Sequence, residues 1–167
     1  MSQDPSDSTA QYAAWMAQAL QLAAAAGRAG DVPVGAVVVD ASGRVVGQGA
    51  NARELAQDPT AHAEILALRQ AARHTGSWRL LGATLVVTLE PCPMCAGAAV
   101  LARIPTLVFG AWDPKGGACG SVWDLAADPR ANHRIQVVGG VRQQDCAHLL
   151  RDFFRVRRHG SDATDGL

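Results

Sequence analysis

The apolar positions of the first forty residues follow two different periods. Tyr12, Trp15, Met16, Ala19, Leu20 and Ala23 recur every three or four residues, which predicts one helix face, and Gly27 and Gly30 mark its end. Val34 to Val39 is instead a short run rich in β-branched residues. The turn Ala41-Ser42-Gly43 follows, then a second extended run over 44–48, and together they predict a hairpin with Asn51 just beyond it. A loop over 52–58 leads to a helix whose Ile65, Leu66 and Leu68 are expected to face inward and which ends near Gly76. The run Leu85 to Leu89 predicts a strand, the segment from Pro93 a helix stopped by Ile104-Pro105, and Thr106 to Phe109 another strand. A Gly-rich loop over 113–120, a short helix over 121–126, a strand over 135–138 and a last helix over 143–158 complete the pattern. Strands and helices alternate after the hairpin, with no repeat and no linker. The fold class is therefore α/β, a single mixed sheet with helices on both faces.

A chain of 167 residues fits one domain with a sizeable core. Residues 1–8 are polar and read as a disordered leader, 9–159 as the domain, and 160–167 as a flexible tail. No stretch approaches the roughly 18 uninterrupted apolar residues of a membrane span, and no basic-then-apolar secretory pattern opens the sequence. A cytoplasmic protein is expected. Fifteen basic and fifteen acidic residues cancel, which removes any diffuse attraction to nucleic acid. The distribution restores a local one, since Arg151, Arg155, Arg157 and Arg158 crowd one end of the chain.

Candidate chemistry gathers in two short motifs, Thr60-Ala61-His62-Ala63-Glu64 and Pro91-Cys92-Pro93-Met94-Cys95. One imidazole and two thiols make three good zinc ligands, and a structural zinc site is usually closed by four. With no second Cys-x-x-Cys or His-x-x-x-His to close it, the set describes an open, catalytic site with Glu64 left over as a proton carrier. Pro93 suits the first position of a helix, which puts Cys92 at its cap and Cys95 one turn in, at the positive end of the dipole. Asp58-Pro59-Thr60 similarly starts the helix that carries His62 and Glu64. Two helix N-termini are thus expected to meet over one metal ion. Cys119 and Cys146 read as ordinary buried thiols.

On these residues the chain resembles the zinc-dependent cytidine/nucleotide deaminase superfamily. His-Ala-Glu followed by Pro-Cys-x-x-Cys is its signature. Val32-Pro33-Val34-Gly35-Ala36, Asp58 to Glu64, Thr88 to Cys92, Val108-Phe109-Gly110-Ala111, Asn132-His133-Arg134 and Asp152-Phe153-Phe154-Arg155 are similar to the bacterial tRNA-specific adenosine deaminases, across roughly residues 10 to 159. The resemblance implies a three-layer, cytidine deaminase-like fold on a five-stranded sheet, one Zn2+ per chain on His62, Cys92 and Cys95, and Glu64 as the catalytic residue. It implies hydrolysis of adenosine to inosine at the wobble position of a tRNA anticodon, with an anticodon stem-loop as partner and a homodimer as the working form. The alternative is a deaminase of a free base or nucleoside such as guanine or cytosine. By the same resemblance Asn51, Val32, Pro33 and Leu89 would contact the base, and Asp113 and Lys115 would lie near the nucleic acid. Phe154, Arg155, Arg157 and Arg158 combine aromatic and guanidinium groups suited to a single-stranded loop, although Phe153 is as eligible as Phe154. Two departures stand out: Asn51 is followed by Ala52-Arg53 where the family more usually has Arg-Pro, and Trp112 stands where a polar residue is expected.

Overall fold

A computed structural model describes residues 5–161, with side chains over 8–160. Ten elements follow one another: α1 (Pro5–Arg28), β1 (Gly35–Val39), β2 (Val45–Ala50), α2 (Arg53–Ala56), α3 (Ala63–Thr75), β3 (Thr84–Leu89), α4 (Pro93–Leu101), β4 (Thr106–Ala111), β5 (Gln136–Val138) and α5 (Gln143–Ser161). The strands form one five-stranded mixed sheet in the order β2-β1-β3-β4-β5. β1 pairs antiparallel with β2 and β3, while β3 with β4 and β4 with β5 are parallel.

Strand alternation divides the core into two layers. Ala36, Val38, Leu85, Val87, Leu107 and Phe109 point to one side, where Ala63, Ala67, Leu68 and Ala71 of α3 and Ala96 and Ala99 of α4 cover them. Val37, Val39, Val86 and Val108 point to the other side, where they meet Met16 and Ala19 of α1 and Cys146 of α5. Small residues set how closely α3 lies on β2. A Cβ on Gly49 would fall 2.3 Å from the Ala63 carbonyl oxygen, and one on Gly47 2.3 Å from that of Ala67. The glycines let the start of α3 rest directly on the sheet.

Several expectations change. The loop after Asn51 contains α2, whose Glu54 and Leu55 amides donate to the buried Asp31 carboxylate at 2.8 and 3.0 Å. No helix forms over 121–126, because Gly120 N donates to Trp123 O and Leu125 N to Ala118 O, a hairpin pattern around the Cys119–Asp124 bridge. Ile65 and Leu66 are only half buried; the inner face of α3 is Ala63, Glu64, Ala67, Leu68 and Ala71. α4 ends at Leu101, three residues before Ile104, and Arg103 takes a left-handed φ of 61° after it. α1 begins at Pro5, within the segment expected as leader, and α5 runs to Ser161, past Gly160 where the tail was expected to begin. The remainder of the leader, 1–4, and of the tail, 162–167, lies outside the described residues. Cys119 and Cys146 are buried, as expected of ordinary thiols.

Candidate metal and substrate site

β3 runs directly into the site. Its end delivers Glu90 and Pro91, after which Cys92 caps α4 with extended backbone (φ −70°, ψ 172°) and Pro93 occupies the first turn. His62 caps α3 in the same extended way (φ −72°, ψ 150°). Neither helix end has a side-chain capping bond, so its free amides and dipole face the space between the two caps.

His62 Nδ1, Cys92 Sγ and Cys95 Sγ all lie within 4.8 Å of one another. The imidazole nitrogen is 3.6 Å from Cys92 Sγ and 3.5 Å from Cys95 Sγ. Zinc–sulfur bonds of about 2.3 Å and zinc–nitrogen bonds of about 2.0–2.1 Å at tetrahedral angles put nitrogen and sulfur about 3.5 Å apart. The donor set therefore fits a tetrahedral ion with one position left open, and it is the one such cluster among the described residues.

Without a cation the cluster sorts its protons internally. The Cys95 thiol donates to Cys92, and with the His62 hydrogen bond this brings Cys92 down to about 4, against the cost of burial. Cys95 is pushed up by that same bond and by burial, and His62 is raised by its bond to Cys92. Glu64 lies beside them on the first turn of α3, only 4% exposed, and burial carries its carboxyl up to about 7. A carboxyl poised near neutrality can both take and return a proton.

A cavity of about 140 Å³ opens onto these groups, walled besides them by the apolar Val32, Val34 and Leu89, the amide of Asn51, and the charged Arg53, Glu90 and Asp113. Of the residues expected to contact the base, Val32, Asn51 and Leu89 line it. Pro33 does not; it is buried against the end of α1, its Cβ 3.4 Å from where a Gly27 Cβ would stand. Asn51 also ties the walls together, its amide donating to Val32 O at 3.0 Å and its carbonyl accepting from Arg53 N at 3.3 Å. Arg53, Val34 and Glu90 were missed in the sequence. Only Glu90 left a signal there, as a lone charge between an apolar strand and the Cys motif.

A second, shallower groove gathers Lys115, Arg151, Phe154, Arg157 and Arg158. Phe154 is 43% exposed and Phe153 is half buried beneath Arg157, whose guanidinium sits 4.7 Å from its ring and donates to Gly30 O at 2.9 Å. Arg155 stands apart, paired with Asp152 at 3.2 Å. Trp112 is half exposed and meets Phe109 edge-on at 4.7 Å, so packing accounts for that departure.

Comparison with known proteins agrees with this chemistry. Residues 10–158 match the family of MafB19-like deaminases. A tRNA-specific adenosine deaminase of Bacillus subtilis is 48% identical over 144 residues, which is 86% of this chain and 89% of that protein. A structure from work on A-to-I editing by tRNA:A34 deaminases at the wobble position is 44% identical with a TM-score of 0.78, over 81% of this chain and 98% of that one. A guanine deaminase of Nitrosomonas europaea is 28% identical with a TM-score of 0.70, over 84% and 83% of the two chains.

Proposed function

The chain belongs to the MafB19-like deaminase family, alongside tRNA-specific adenosine deaminases, and from that premise we propose that it hydrolyses adenosine to inosine at the wobble position of a tRNA anticodon. The observation that carries this reading is the meeting of three metal donors and a buried carboxyl on one base-sized cavity, in a chain similar to those enzymes over most of its length.

His62, Cys92 and Cys95 would hold one zinc ion. When bound, zinc supplies a water whose pKa falls from 15.7 towards about 7. Glu64 would take a proton from the attacking water, deliver one to the adenine ring nitrogen next to C6, and help carry one to the departing ammonia, so that water enters and ammonia leaves. Val32, Asn51 and Leu89 would seat the flipped base. Lys115, Arg151, Phe154, Arg157 and Arg158 would engage the flanking loop by charge and stacking, and the Asp113–Lys115 segment joins the two sites.

The tRNA reading also implies a place and a partner. None of the four cysteines is joined in a disulfide, in keeping with a reducing cytoplasm. Among the described residues no helix is long and apolar enough to cross a membrane. An apolar groove between α3 and α4, lined by Ile65, Leu68, Trp78, Ala98 and Leu101, supports a homodimer. Deamination of a free base is the second reading, supported by the guanine deaminase likeness at a lower identity. Incubating purified protein with total tRNA and analysing its nucleosides tests the proposal. Inosine is expected with wild type and not with Glu64→Gln, and its absence with zinc-loaded wild type would overturn the reading.

A further inference from the structure

Glu90 is the second buried carboxylate of the site, 2% exposed, and nothing in the proton chemistry above uses it. Four donors converge on it. Oε2 accepts from Asp113 N at 2.9 Å and from the Ser121 hydroxyl, and Oε1 accepts from Cys119 N at 3.1 Å and Ser121 N at 3.0 Å. All four belong to one loop, 113–121, which folds around the carboxylate so closely that a Cβ on Gly117 would fall 2.2 Å from Oε2.

That loop joins the two sites. Asp113 walls the cavity over the metal donors, while Lys115, two residues on, lines the basic groove. Asp113 Oδ1 accepts from Lys115 N at 3.0 Å and Gly116 N at 3.2 Å, so the position of one fixes the other. Three glycines, Gly116, Gly117 and Gly120, give this segment little stiffness of its own. The backbone bonds Glu90 N to Ala111 O and Ala118 N to Pro91 O, both 2.8 Å, tie the loop to the segment that ends in Cys92.

We propose that Glu90 is a positioning residue for the substrate, its carboxylate holding loop 113–121 so that Asp113 faces the cavity while Lys115 faces the groove. This rests on the tRNA reading for its functional consequence, though not for the loop itself. The donor pattern makes a strict demand. Each oxygen accepts two bonds, two of them from backbone amides on Oε1 and one on Oε2, so an amide placed either way sets an NH2 against at least one N–H. Glutamine has the right size and the wrong chemistry.

The test compares zinc-loaded wild type with Glu90→Gln in three measurements: zinc per chain, amide hydrogen exchange across 113–121, and steady-state kinetics on an anticodon stem-loop RNA with adenosine at the wobble position. Zinc should stay unchanged. Exchange should quicken about 10-fold or more in the loop and not in α1, and stem-loop KM should rise about 10-fold with kcat within about threefold, the scale of one lost bond to a charged group. Loop exchange and KM both within twofold of wild type would overturn the proposal. So would a fall in kcat that tracks loss of zinc. Should Glu90→Gln not fold, Ser121→Ala removes one donor and leaves the backbone. A rise of about threefold in KM with faster loop exchange supports the proposal, and wild-type values of both overturn it. Failure of wild type to process the stem-loop counts against the tRNA reading instead, and the exchange measurement still decides the role of Glu90.

Discussion

Glu64 illustrates how one side chain can carry both function and cost. Its folded carboxyl is pushed up to about 7 from the ordinary 4.5, because burial disfavours the charge. The native state of the metal-free protein therefore binds more protons than the unfolded chain between those values. Its contribution to stability is fully present below about pH 4.5 and lost as pH rises through about 7, a change of roughly 3 kcal/mol. Urea denaturation in chelator should show metal-free wild type losing stability across that window relative to Glu64→Gln, and parallel curves would contradict the burial argument. In the zinc-loaded enzyme, Glu64→Ala leaves all three ligands in place. Zinc analysis should give an unchanged content, while turnover falls by about 10² or more. The gathering of His62, Cys92 and Cys95 beside Glu64 was legible in the sequence because short covalent spacings fix which side chains share a helix start. The Asn51 tie to Val32 was not, since it depends on segments 19 residues apart meeting in space, and Arg53 reaches the cavity from the unforeseen α2.

At the scale of elements, the site depends on two helix caps held against one strand end, and close backbone packing controls the first of them. Gly49→Ala would drive a Cβ into the Ala63 carbonyl, the residue next to His62, and α3 must shift to accept it. A loss of about 1–3 kcal/mol is expected by thermal or urea unfolding, together with weaker zinc binding. Gly97→Ala in α4 is the control, because a Cβ there meets nothing within 4 Å and helix propensity favours alanine. It should be neutral or stabilising in the same assays. Elements with a local signal could be read in advance: α1 from its apolar spacing, β1, β3 and β4 from short apolar runs, and the cap of α4 from Pro93. α2 has four residues and no period to read. The segment 121–126 looked helical in isolation but lies in a hairpin, its first residue donating twice to Glu90, a partner that local sequence does not reveal.

For the whole molecule, zero net charge leaves recognition to local features: a cavity, a basic groove and an apolar face. Trp78 is 56% and Leu101 69% exposed around the apolar groove between α3 and α4, a contiguous patch that the proposed homodimer would cover. Light scattering at micromolar concentration should give a dimer for wild type and a monomer for Leu101→Asp, and a wild-type monomer would contradict the proposed assembly. The overall α/β architecture followed from the alternation of periods, whereas the strand order β2-β1-β3-β4-β5 did not, because pairing partners leave no mark on a single strand. The proposed function requires this site to act on adenosine presented in an RNA loop, where C6 is already free of the stack. One competition measures it: zinc-loaded protein offered an anticodon stem-loop with wobble adenosine, the same sequence as a duplex, free adenosine, guanine and cytosine. Rapid inosine formation in the stem-loop alone is the expected result, and faster turnover of guanine or cytosine than of the stem-loop would contradict it.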